Sequence, residues 1–256
     1  MSAHERIGAA ISAANKAGRP ALVPFITAGY PEPKEFVDTL KAVASVGDVV
    51  ELGIPFSDPM ADGMTIQRSS FIALQKGVSL RWIFDQLDSI RDEIDTPLVM
   101  MSYLNPLLAF GYDALAERAL AAGVCGFIVP DLPFEESDDL RAALEANGLG
   151  LIQLVTPATP DERLKKLCEA SRGFVYAVTI TGITGGGTGL PADLTDYLSK
   201  VSSFSNIPVC AGFGIRSAAD VAAVGQHAAG AIVGSVLVEV LEKGDDPRPF
   251  LESLLV

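Results

Sequence analysis

Eight short apolar segments alternate with eight helical ones along 256 residues, and no Pro/Ser-rich linker or charge run divides them. The second apolar segment carries one acidic residue where its neighbours are apolar on both faces. Together these observations predict an α/β protein, a single-domain (β/α)8 TIM barrel with an extra N-terminal helix, occupying residues 1–256 as one domain. The competing architecture is a doubly wound open sheet. It would usually carry a GxGxxG turn after the first strand, and residues 28–31 read Ala-Gly-Tyr-Pro instead.

The first 20 residues, MSAHERIGAAISAANKAGRP, have mixed charge and helical spacing and are not a signal peptide. Residues 21–27 (ALVPFIT) are the first strand and 33–46 a helix. Residues 49–54 (VVELGI) form the second strand, apolar on both sides except at Glu51. Amphipathic helices follow at 64–75 and 80–94, the second with Trp82, Ile83, Leu87 and Ile90 at helical spacing. The third strand is 97–103 (PLVMMSY), 105–111 a short connection, 112–122 a helix and 126–130 (GFIVP) the fourth strand. A helix at 135–147, ended by Gly148, leads to the fifth strand at 150–156 (GLIQLVT). A helix at 160–171 begins with Asp161 and Glu162, whose charges favour the helix N-terminus. The sixth strand is 174–179, followed by a glycine-rich loop at 181–190 (TGITGGGTGL) and a helix at 192–202. The seventh strand at 207–211, a helix at 217–224, the eighth strand at 230–233 and helices at 235–242 and 249–255 complete the chain.

Composition narrows the chemistry. The chain is 49% hydrophobic with net charge -13 and has no basic run, which argues against nucleic acid or an anionic membrane surface as a partner. No apolar run approaches a membrane span. Cys125, Cys168 and Cys210 are far apart in apolar sequence, as reduced core thiols of a cytoplasmic protein would be, and they form neither a disulfide frame nor a metal site. Only His4 and His227 could supply an imidazole, so acid and base work falls to carboxylates or tyrosines and no histidine metal cluster is expected.

Glu51 and Asp62 are therefore the candidate catalytic pair. Alternation puts Val49, Glu51 and Gly53 on one side of the second strand and Val50, Leu52 and Ile54 on the other. If the first set faces the barrel interior, desolvation raises the Glu51 pKa towards neutrality. Asp62, on the turn-rich loop SDPMADG, is expected to be more solvated and ionised. A structural glutamate tied to backbone amides is the alternative, at odds with the penalty for burying a carboxylate. Phe25, Met101, Tyr103, Phe127, Val129, Tyr176 and Ile232 lie at or near the strand ends, where they fill the barrel or shape a flat pocket for a planar ligand.

Glycines mark the last two strands. Gly212-Phe213-Gly214-Ile215 follows the seventh strand, Gly234-Ser235 opens a helix after the eighth, and Thr184-Gly185 lies in the preceding loop. Bare N–H groups at a helix start beside a hydroxyl suit a phosphate dianion, and barrels often build that site there. Tight turns alone would also account for any one of these glycines.

PFITAGYP at 24–31, ELGIPFSDPMADG at 51–63, YLNP at 103–106, VPDLP at 129–133, GITG at 182–185, AGFGI at 211–215 and GAIVGS at 230–235 resemble the tryptophan synthase α subunit family over nearly the whole chain. The resemblance implies a carbon-carbon lyase that cleaves indole-3-glycerol phosphate to indole and glyceraldehyde 3-phosphate and has no cofactor of its own. It implies a β-subunit partner that carries pyridoxal phosphate and takes up the indole for L-tryptophan synthesis, in an α2β2 heterotetramer. It implies Glu51 as the acid/base that protonates indole C3 and helps remove the glycerol hydroxyl proton, and Asp62 as the group holding the indole N–H. Phe25, Tyr103, Tyr176 and Ile232 resemble the substrate pocket, Gly185, Gly214, Gly234 and Ser235 the phosphate site, and Thr184 the closing-loop threonine. Asp58 and Asp131 resemble positions near the β-subunit interface, although loop capping would explain them as well. The chain departs from the family where Thr179-Ile180 replaces a common Ser-Arg, which bears on loop closure and communication with the partner. Two other readings compete. A different phosphosugar barrel enzyme is one, but an indole-glycerol-phosphate synthase would want a strand lysine that is absent here. A regulatory barrel without catalysis is the other, and it would not need a buried acid.

Overall fold

A computed structural model of the chain describes residues 1–178, 192–212 and 214–255. In chain order the elements are α1 (Ala3–Lys16), β1 (Ala21–Thr27), α2 (Phe36–Ala44), β2 (Val50–Gly53), α3 (Met64–Gln75), α4 (Leu80–Ser89), β3 (Leu98–Met101), α5 (Leu104–Phe110), α6 (Tyr112–Ala121) and β4 (Val124–Ile128). There follow α7 (Asp138–Ala146), β5 (Gly150–Ile152), β6 (Leu154–Val155), α8 (Asp161–Ala170), β7 (Val175–Val178), α9 (Ala192–Phe204), β8 (Val209–Gly212), α10 (Ala218–Gly225), β9 (Gly230–Val233), α11 (Ser235–Glu242) and α12 (Pro247–Ser253). The strands are parallel in the order β5-β4-β3-β2-β1-β9-β8-β7-β6. β5 and β6 are the two halves of the expected fifth strand. One half pairs with β4 and the other with β7, so a single stretch of chain joins the two ends of the sheet into a barrel.

The split falls at Gln153, whose N–H is accepted by the Ser171 hydroxyl at 2.9 Å, while its carbonyl accepts from Tyr176 N–H at 3.0 Å. Three further expectations shift. Residues 104–110 form a helix, α5, rather than a plain connection, and the Asp131 carboxylate accepts its first N–H, that of Leu104, at 2.9 Å. The fourth strand runs over 124–128 instead of 126–130, with an irregularity in the β3 to β4 register where Leu98 faces Val124 and Val99 faces Gly126. The helix expected to reach residue 94 ends at Ser89.

Two apolar layers result. The outer one joins sheet to helices and includes Leu22, Ile26, Val50, Leu52, Ile54, Met100 and Phe127. The inner one fills the barrel with Val23, Val49, Val99, Ile128, Ile152, Phe174, Cys210 and Ile232. Helix α1 closes the base of that inner layer with Ile7, Ile11 and Ala14, and its start is tied by the Glu5 carboxylate accepting Ser2 N–H at 2.6 Å. The three cysteines are buried free thiols. Among the described residues, no helix is long and apolar enough to cross a membrane.

Candidate active site

Strand β2 places the acid. Val49 belongs to the inner layer and Val50, Leu52 and Ile54 to the outer one, so alternation sends Glu51 into the barrel, where it is 1% exposed. Its register partners are Phe25 on β1 and Val99 on β3. Among the described residues, Glu51 Oε2 has no hydrogen-bond partner. Burial without compensation favours the neutral acid and pushes the Glu51 pKa up to about 8, and the Asp62 carboxylate adds to the rise.

The loop between β2 and α3 places the second carboxylate. Asp62 N–H reaches Pro59 O at 3.1 Å, and Gln67 Nε2 donates to Asp62 O at 2.8 Å. The Tyr103 hydroxyl accepts from Ala61 N–H at 2.8 Å and donates to Asp62 Oδ2 at 3.1 Å, while Phe56 stacks on the Tyr103 ring at 5.1 Å. Asp62 is less buried than Glu51, as expected of the loop, yet burial still raises its pKa to about 6, against the lowering effect of the Tyr103 bond. It is still mainly ionised at pH 7, and the pair is split into a neutral acid and an anion.

Both carboxylates line one cavity of about 180 Å³ at the C-terminal ends of the strands. The structure brings Phe25, Tyr176, Gly214, Ile232, Gly234 and Ser235 into the same lining. Tyr103 stands behind Asp62 as its hydrogen-bond partner. Two glycines make room for the pocket's rings. A Cβ on Gly53 would come within 2.4 Å of Phe25 Cζ, and one on Gly212 within 2.7 Å of Tyr176 Oη. Phe127 and Val129 belong to the outer layer facing the helices, not to the pocket: the irregularity where Leu98 faces Val124 and Val99 faces Gly126 breaks the alternation, so Cys125 lies in the inner layer and Phe127 in the outer one. Thr184, Gly185 and Thr179-Ile180 lie outside the described residues.

At the glycine end, Gly214 has φ +56, a conformation open to glycine, and Gly234 precedes Ser235 at the start of α11. Ile66, Met101, Ile215, Arg216 and Val236 complete the lining. Of these, the sequence pointed to Met101 and, within the GFGI turn, Ile215, but not to Ile66, Arg216 or Val236. Arg216 had a legible signal, a lone cation directly after the GFGI turn. A larger cavity of about 310 Å³ lies between the loop after β4 and α8, but its lining includes neither Glu51, Asp62 nor the glycine turns. The smaller cavity is therefore the candidate site. It combines a proton donor, an anion, an apolar slot and a helix start suited to a dianion.

The sequence model of the tryptophan synthase alpha chain family matches residues 11–255. The tryptophan synthase alpha chain of Nitratidesulfovibrio vulgaris (strain DP4) is 42% identical over 254 residues, 99% of this chain and 98% of that one. That of Laribacter hongkongensis is 44% identical over 246 residues, covering 95% and 93% of the two chains. Among solved structures, tryptophan synthase from M. tuberculosis in an open form superimposes with TM-score 0.88 at 36% identity, covering 97% of this chain and 96% of that one. A mutant alpha subunit from the hyperthermophile Pyrococcus furiosus gives TM-score 0.84 at 36% identity, over 92% and 98%.

Proposed function

Since the chain belongs to the tryptophan synthase alpha chain family, we propose that Glu51 and Asp62 carry out its reaction, with Glu51 as the proton carrier and Asp62 as the anion facing the indole N–H. The reaction is retro-aldol cleavage of indole-3-glycerol phosphate to indole and glyceraldehyde 3-phosphate, a lyase step of tryptophan biosynthesis. In this family the alpha chain works without a cofactor, and pyridoxal phosphate belongs to the beta subunit that receives the indole. An α2β2 assembly in the cytoplasm is part of the same reading.

The carbon-carbon bond at indole C3 does not break by simple departure, because the neutral ring is a poor carbanion. Glu51 first gives its proton to C3, which leaves the indole nitrogen cationic and its N–H a strong donor to the Asp62 carboxylate. The Glu51 carboxylate then takes the proton of the glycerol hydroxyl on the carbon attached to C3. As the C–O double bond forms, the C–C bond breaks and its electron pair restores the aromatic ring. The acid ends as it began, protonated. Phe25, Tyr176 and Ile232 hold the ring, Tyr103 keeps Asp62 in place, and Gly214, Gly234 and Ser235 take the phosphate, with Thr184 and Gly185 assigned to the same end.

The observation that carries this reading is the buried Glu51 carboxyl, whose Oε2 has no partner among the described residues, in the same cavity as Asp62. Glu51→Gln, assayed with the beta subunit present, is expected to abolish indole formation while binding of glycerol 3-phosphate stays nearly intact. Asp62→Asn does almost as much damage. Near-normal turnover by the Glu51→Gln protein removes Glu51 from the mechanism.

A further inference from the structure

We propose that Arg216 is a phosphate-binding and specificity-determining residue of this site, whose guanidinium leaves Glu239 to engage the phosphate of the incoming substrate. The inference rests on the reading above, in which the glycine end of the cavity holds that phosphate.

Arg216 lines the cavity next to Gly214, Gly234 and Ser235, opposite in charge to the ionised Asp62. Among the described lining residues it is the one cation. A dianion entering a cavity with an ionised aspartate, on a chain of net charge -13, meets repulsion that backbone N–H dipoles alone oppose weakly. A guanidinium at the rim supplies the missing charge and the fork geometry that phosphate oxygens accept in pairs.

The backbone at Arg216 is fixed while its side chain is lightly held. Asp220 Oδ2 accepts both Arg216 N–H at 2.9 Å and Ser217 N–H at 3.0 Å in the turn that opens α10. The guanidinium, by contrast, makes one contact among the described residues, Nη2 to Glu239 Oε2 at 2.6 Å, between half-exposed side chains. Among the described residues its Nε and Nη1 have no acceptor. Glu239 sits one turn into α11, the helix that Ser235 opens. Arg216 thus bridges the loop after β8 to the helix after β9, the two segments between which the phosphate is assigned. A solvated pair of this kind is worth little, so exchange of the carboxylate for a bidentate dianion is favourable.

The test measures glycerol 3-phosphate and indole binding separately by calorimetry, and steady-state cleavage in the complex with the beta subunit. Arg216→Gln is expected to weaken glycerol 3-phosphate binding and raise KM for indole-3-glycerol phosphate about tenfold or more, the loss typical of a charge-assisted hydrogen bond. Indole binding and kcat stay within about twofold, because the lost contact is uniform binding. Arg216→Lys restores part of the affinity as a point charge. Glu239→Gln, which releases the guanidinium, tightens glycerol 3-phosphate binding by about two- to fivefold, the range of an exposed ion pair. Unchanged glycerol 3-phosphate affinity in Arg216→Gln overturns the proposal, as does equal loss of indole and phosphate binding, which marks a structural role. These binding measurements do not depend on proton transfer, so they stand apart from the failure of Glu51 as the acid.

Discussion

Burial holds Glu51 neutral, with no hydrogen-bond partner for its Oε2 among the described residues, and that leaves a mark on stability as well as on catalysis. Its folded pKa of about 8 lies above the ordinary 4.5, so the folded state binds a proton that the unfolded state releases between those values. Stability from this group is full below pH 4.5 and falls as pH rises to 8. Glu51→Gln removes the dependence, and its unfolding free energy relative to the parent is expected to gain about 2 to 3 kcal/mol between pH 5 and pH 7. Urea unfolding at the two pH values measures this; parallel behaviour of the two proteins would mean an ionised glutamate. Tyr103 acts on the other carboxylate. Tyr103→Phe removes the hydroxyl that lowers the Asp62 pKa, so the acid limb of the kcat profile is expected to move to higher pH. Turnover at pH 7 should fall by about tenfold, the worth of one hydrogen bond to a charged group. An unmoved acid limb would detach Tyr103 from Asp62. The Glu51 anomaly was legible in the sequence because one acidic residue interrupts an apolar run. Tyr103 was named for the pocket, yet its bond to Asp62 was not legible: nothing local says that residues 41 apart share a proton.

Strands β1 and β2 and the interior set of Val49, Glu51 and Gly53 followed directly from alternation, since a register slip would exchange interior and exterior. The fifth strand did not. GLIQLVT reads as one strand, but its central N–H finds a serine hydroxyl instead of a neighbouring carbonyl, a long-range choice with no local signature. Ser171 also donates to Phe174 O at 2.5 Å and is buried, so Ser171→Ala leaves the Gln153 N–H unpaired. A loss of about 1 to 3 kcal/mol in unfolding free energy is expected, and a smaller change would show that water or a shifted strand replaces the hydroxyl. Helix α5 was missed for a related reason, because its start depends on the Asp131 carboxylate from a loop 27 residues away. At the other end of the site, Ser235→Asp adds an anion where the substrate's phosphate is assigned and is expected to raise KM steeply; an unchanged KM in the indole assay would move the phosphate elsewhere.

The barrel as a whole explains why so short a set of residues suffices. Helix α1 seals the base and the inner layer fills the middle, so Glu51 sits above a dry floor and below the cavity. That arrangement was legible as a count of alternating segments and as one resemblance spanning nearly the whole chain. Which strand residues faced inward near β4 was not, because the extra residue between the pairs Leu98–Val124 and Val99–Gly126 breaks the alternation and puts Phe127 among the helices. The assembled molecule is expected to show a bell-shaped kcat profile, rising as Asp62 ionises near pH 6 and falling as Glu51 loses its proton near pH 8. The most direct measurement is a titration of the Glu51 side-chain carboxyl by carbon-13 NMR in glutamate-labelled protein, with the signal assigned by its loss in Glu51→Gln. A carboxyl that is protonated at pH 7 and titrates with a midpoint near 8 is the predicted result. A midpoint near the ordinary 4.5 would show an ionised glutamate at neutral pH and contradict the role of Glu51 as the acid.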